Sequence, residues 1–123
     1  MGIHWFDAKE REGQASLTDS YITLNSIASV PFAYAYKVQV GVSDEGNVVI
    51  SPLVKERVMR GDLDEYTLQN ISLKQSYSRI CSRELMRQIA EETGLKLDKT
   101  AQSYETSWDE EKNLLTIKVG GAK

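Results

Sequence analysis

The chain repeats itself. Ala15-Ser16-Leu17-Thr18-Asp19-Ser20-Tyr21-Ile22-Thr23-Leu24-Asn25-Ser26 aligns without a gap on Ile71-Ser72-Leu73-Lys74-Gln75-Ser76-Tyr77-Ser78-Arg79-Ile80-Cys81-Ser82, at a constant displacement of 56 residues. Five of the twelve positions are identical: the serines at 16/72, 20/76 and 26/82, Leu17/Leu73 and Tyr21/Tyr77. Leu24/Ile80 is a conservative sixth. Further on, Val42 to Ile50 parallels Trp108 to Ile117, with Asn47 and Asn113 now 66 apart, so the second copy has a longer middle. A repeat of this length is one supersecondary unit, too small to bury both its helix and its sheet alone; two units packed together can. The reading is therefore a single domain over 1–123, with repeat 1 at about 15–50, a connector at 51–70 and repeat 2 at about 71–119.

Each copy reads as strand, strand, helix, hairpin. Tyr21 to Leu24 is a strand with Ile22 and Leu24 on one face. Asn25 or Ser26 caps a helical segment over Ile27 to Ala33, which Pro31 keeps short or irregular. Lys37 to Ser43 alternates, with Val38, Val40 and Val42 on one side. Asp44-Glu45-Gly46-Asn47 turns the chain back into Val48 to Ile50. Ser51-Pro52 then has the form of a cap and first-turn proline opening a helix through Val54 and Val58 to Arg60.

In the second copy, Ser72 to Leu73 and Ser78 to Ile80 are short strands. Ser82 caps a helix over Arg83 to Thr93, striped by Leu85, Met86, Ile89 and Ala90 and stopped by Gly94. Lys96 to Ser103 reads as polar loop. Tyr104, Thr106 and Trp108 alternate on an incoming strand, and Leu115, Ile117 and Val119 on an outgoing one, before a Gly120-Gly121-Ala122-Lys123 tail. The fold class is α+β: a strand-rich, pseudo-twofold domain built from two strand–helix–hairpin repeats.

Composition fits a globular domain of this kind. Apolar residues make up 41% of the 123 and charged residues 27%, and no apolar run approaches the roughly 20 residues of a membrane span. Met1 to Asp7 is followed by charge rather than an apolar signal core, and the single cysteine, Cys81, cannot form an intrachain disulfide. Both point to the cytoplasm. A net charge of −3 and a pI near 5.2 speak against sequence-blind affinity for nucleic acid, which needs several phosphates neutralised. A local basic patch is still compatible with them.

Residues 21–52 resemble the AbrB-like swapped-hairpin family. Thr23-Leu24-Asn25, the alternating Val38 to Val42 and the turn Asp44-Glu45-Gly46 carry the resemblance. In that family two modules interlock, from two chains or, in the MraZ group, from tandem copies in one chain. The resemblance implies a swapped-hairpin barrel and a DNA-binding transcriptional regulator. The sequence also departs from the pattern. The Asp-xxx-Arg signature of the MraZ group is not present at the corresponding position of either half, and Ser16 to Asn25 contains no basic residue.

No catalytic constellation emerges. His4 is the sole histidine and has no His/Cys cluster around it to complete a metal site. Cys81 sits near a helix start between Arg79 and Arg83, which favours a thiolate, but it has no histidine base close in sequence. Asp44/Glu45 and Asp109/Glu110/Glu111 are turn carboxylates, and no glycine loop suits a phosphate. The expectation is a protein that is not an enzyme and carries no cofactor and no metal. Binding capacity resides in Lys74, Arg79, Arg83 and Arg87, with Arg83 and Arg87 four apart on one helix face. Balancing by Glu84 and Glu91 is the alternative use of that face. Lys55, Arg57 and Arg60 form a second basic set. Two functions stay open for a monomer or homodimer: a DNA-binding regulator acting on double-stranded DNA, or an accessory protein that binds a protein partner and no DNA.

Overall fold

A computed structural model describes residues 2–3 and 13–120. The chain opens with β1 (Gln14–Leu17), β2 (Tyr21–Leu24), α1 (Ser26–Ser29), β3 (Lys37–Val42) and β4 (Val48–Leu53). After α2 (Lys55–Met59) and β5 (Leu68–Gln69) come β6 (Ser72–Leu73), β7 (Ser78–Cys81), α3 (Arg83–Thr93), β8 (Gln102–Asp109) and β9 (Leu114–Ile117). The domain is strand-rich α+β.

The nine strands make one antiparallel sheet in the order β5-β3-β4-β9-β8-β1-β2-β7-β6, curled into a half-barrel. Its two end strands are β5 and β6, which only Asn70 and Ile71 separate in sequence, so the chain itself links the sheet's edges. The late hairpin β8–β9 lies between β4 and β1 of the first half. Two hairpins share a register. The pair Ser16↔Thr23 of β1–β2 recurs as Ser72↔Arg79 of β6–β7, and Leu17↔Ile22 as Leu73↔Ser78. Their turns close alike, Thr18 N–H donating to Tyr21 O at 3.0 Å and Lys74 N–H to Tyr77 O at 2.9 Å.

Strand alternation sorts the side chains. Ala15, Leu17, Ile22, Leu24, Val38, Val48, Ile50, Ile80, Leu115 and Ile117 all point inward and are buried, as a period of two requires. Leu85, Met86 and Ile89 of α3 close over this core, which is the stripe read from the sequence. Ser82 Oγ accepts from Leu85 N at 3.1 Å at the start of that helix, and Gly94 ends it at φ 77°, a left-handed conformation that glycine adopts without strain.

The first-half helix is a single turn. Asn25 Oδ1 accepts from Ala28 N at 2.9 Å, and a 3-10 turn over Val30–Phe32 takes up Pro31, whose missing N–H is harmless there. That turn drives Phe32 into the core, edge-on to Trp108 with ring centres 6.3 Å apart.

The structure corrects the sequence reading in three places. Ser51-Pro52 does not open a helix: β4 runs on through Leu53, with Pro52 opposite Val38, and α2 starts at Lys55 behind Val54. β4 pairs with β9 only over Val48–Ile50, so at Pro52 no ladder bond is lost on that side. Burial of Leu53 carries the strand forward. The connector range holds structure of its own, with a 3-10 turn over Glu65–Thr67, capped by Asp64, leading into β5. The polar loop ends early, because Gln102 already pairs with Leu17. Of the tail, Gly120 is docked through its N–H on Asn47 Oδ1 at 2.8 Å, and residues 121–123 lie outside the described residues. Among the described residues no helix is long and apolar enough to cross a membrane.

Candidate binding face

Inward Ser78 and Ile80 force Arg79, between them on β7, onto the outer face of the sheet. There the registers line up Ser72, Arg79, Thr23, Ser16 and Ser103 as one row across β6, β7, β2, β1 and β8. Arg79 Nε donates to Thr23 Oγ1 at 3.0 Å. Its guanidinium carbon lies 4.3 Å from the centre of the Tyr21 ring and 5.1 Å from that of Tyr77. Two aromatic faces and one hydroxyl thus hold the cation. Among the described residues, neither terminal amino group of Arg79 has a hydrogen-bond or ion-pair partner. A planar fork held in this way is suited to a phosphate or carboxylate.

The other three candidates divide. Lys74 stays with Arg79, since its own N–H closes the turn onto Tyr77, the residue whose ring Arg79 covers. The Lys74 side chain is exposed beside a shallow groove of about 290 Å³ that Val30, Leu73 and Tyr77 also line. Arg83 and Arg87 lie instead on the exposed face of α3, around a depression of about 280 Å³ shared with Asp19 and Glu84. Arg87 pairs with Glu84 one turn back, not with Glu91 as its spacing suggested. Two carboxylates beside two guanidiniums leave that depression without net charge, a poor seat for an anion. In the second basic set, Arg57 is held by Asp62 at 2.5 Å. That hydrogen bond is the chief reason the Asp62 carboxyl is held below its ordinary value.

Groups with catalytic potential stay apart. Cys81 is the exposed last residue of β7, opposite Tyr21. Among the described residues no three or more His, Cys, Asp and Glu gather as a metal site would need. His4 lies outside the described residues.

The sequence reading used Tyr21 and Tyr77 only as markers of the repeat. They are also the walls that hold Arg79. Thr23, Ser16 and Ser103 were missed as members of the same face; isolated small polar residues carry no signal until the register sets them side by side. Comparison of the chain with family models, with curated proteins and with solved structures gives no match.

Proposed function

We propose that this protein is a non-catalytic binding module on an AbrB-like, pseudo-twofold swapped-hairpin scaffold, with Arg79 as the centre of a face that engages the backbone of double-stranded DNA. Two arrangements support the scaffold. A hairpin from one half is flanked by strands of the other, as swapping demands. Thr23 and Arg79, related by the sequence displacement of 56, stand directly opposite each other, which is where a twofold axis would pass. Fold alone does not assign function, so the functional claim rests on the site.

The observation that carries it is the held guanidinium. Its Nε–H is engaged by Thr23 and its guanidinium lies over the rings of Tyr21 and Tyr77, while its terminal amino groups are left for a ligand. Hydroxyls of Ser72, Thr23, Ser16 and Ser103 extend the row in a chemistry that phosphate oxygens accept. Lys74 adds a second cation at the turn.

A gel-shift titration of the whole chain against duplex DNA tests this. With Lys74 and Arg79 as the phosphate contacts, binding at low salt weakens gently with salt, at a log–log slope of about −2. Arg79→Ala abolishes the shift, while Arg83→Ala leaves it unchanged. Failure to retain any duplex at low salt overturns the DNA reading. The second reading, an accessory protein that binds a protein partner and no DNA, then takes its place. It is favoured by the net charge of −3 and by the balanced charges around Arg83 and Arg87.

A further inference from the structure

A concavity lies away from Arg79, where the segment after α1, the end of β4 and the start of α2 meet the β8–β9 turn. It measures about 570 Å³, within the range of ligand pockets. Pro31, Ala35, Pro52, Leu53, Val54 and Leu63 form the apolar part of its lining, and Gln39, Ser51 and Asn113 are among the polar residues. Of the lining, Tyr34 is 88% exposed and Val54 47% exposed. Arg57 and Lys112 also line it, and no carboxylate does. Asp62 neutralises Arg57, so among the described residues Lys112 is the unpaired charge of this lining, in a chain with 18 acidic against 15 basic side chains.

The walls are already built. Ser51 Oγ donates to Asn113 O at 2.9 Å, and Asn113 Nδ2 donates to Pro52 O at 2.8 Å, tying the β8–β9 turn to β4. Asn113 holds the left-handed φ of 55° that this turn requires. A preformed wall lowers the ordering cost of binding. Arg57 already has Asp62, whereas Lys112 has no ion pair among the described residues.

We infer that this groove receives an extended segment of a partner protein in which carboxylates flank an apolar anchor. The anchor enters between Leu53, Val54 and Leu63, with Tyr34 folding over it. A flanking carboxylate meets Lys112. The inference is independent of the Arg79 face.

The test is fluorescence anisotropy with a labelled peptide of sequence EDLFDE and two controls, one with every acid replaced by lysine (KKLFKK) and one with the anchor replaced by serines (EDSSDE). EDLFDE binds at least about tenfold more tightly than either control, a difference of about 1.4 kcal/mol. Lys112→Glu and Leu63→Asp each weaken it by a similar factor, and Lys99→Glu, an exposed charge reversal elsewhere, leaves it unchanged. Lys112 is exposed, so its variant folds and the result stands even if Leu63→Asp does not fold. Equal affinity for EDLFDE and KKLFKK overturns the inference, as does an equal loss in Lys99→Glu and Lys112→Glu. Light scattering that shows self-association abolished by Lys112→Glu also overturns it, because the occupant is then a second copy of this chain.

Discussion

Arg79 reaches across the β2–β7 pair to donate from Nε to Thr23 Oγ1 at 3.0 Å, and the two residues are register partners 56 positions apart. The same displacement carries Tyr21 onto Tyr77 in the sequence, and the rings of both lie against the one guanidinium. One arginine is thereby held by both halves of the chain.

That arrangement predicts coupling. A double-mutant cycle with Thr23→Val and Arg79→Lys yields an interaction energy of about 1 kcal/mol in urea unfolding. Lysine keeps the charge but cannot offer Nε at that position or stack as a plane. Additive effects of the two substitutions would remove Thr23 from the account of how Arg79 is positioned.

Ile22 and Ile80 face each other from the same two strands, both fully buried. Ile80→Ala leaves a cavity at the join between the halves and lowers stability by about 2–5 kcal/mol. Tyr66→Ala, at a side chain 89% exposed, changes it by less than about 0.5 kcal/mol. The midpoint of urea unfolding, read at unchanged m-value, reports both.

The ends of α3 make separate contributions. Ser82→Ala removes the acceptor for Leu85 N and costs about 1 kcal/mol. Gly94→Ala forces a side chain onto φ 77° and costs about 1–2 kcal/mol. The two lie at opposite ends of one helix, so a double variant loses the sum of the two. Thermal unfolding followed by circular dichroism measures each step.

Gly120 comes so close to the β3–β4 turn that an added Cβ would lie 2.6 Å from Gly46 O and 2.7 Å from Glu45 O. Backbone stands on that side and cannot swing away as a side chain tip does. Gly120→Ala therefore destabilises by about 1–3 kcal/mol, whereas Gly2→Ala, with nothing within 4 Å, has no effect on the unfolding midpoint.

The Asp62 carboxyl is held below its ordinary value of 3.8, first by the hydrogen bond from Arg57. A lowered pKa in the folded chain means that the pair's contribution is fully present above the ordinary value and is lost as pH falls through the lowered one. Carboxyl chemical shifts followed by NMR place the Asp62 titration below its ordinary value, and Arg57→Ala moves it back up. Because the Asp62 side chain is exposed to solvent, screening keeps the effect on unfolding small.

Local chemistry made much of this protein legible. Asn25 and Ser82 cap the helices they precede, and Gly94 ends α3 one residue after Thr93. The alternation of Ile22 with Leu24, and of Leu115 with Ile117, separates inside from outside. These features depend on contacts within a few residues, so the order of side chains along the chain is enough to reveal them.

Other outcomes were beyond that reach. Ser51-Pro52 has the local form of a helix start, yet the strand continues because β9 ends short of Pro52 and the interior takes up Leu53. Arg87 had acids within reach on both sides, and the folded helix surface chose Glu84 over Glu91.

The amino-acid sequence by itself determined β2, β3 and β7 as strands, both ends of α3, and which side of β2 and β9 is greasy. Only the tertiary structure decided that Tyr21 and Tyr77 meet at Arg79, and that residues near 31, 53, 63 and 112 enclose one groove. The reason is physical. Capping and alternation act over a few bonds, whereas the neighbour of a strand is settled by backbone hydrogen bonds between segments remote in the chain, and those carry no local mark.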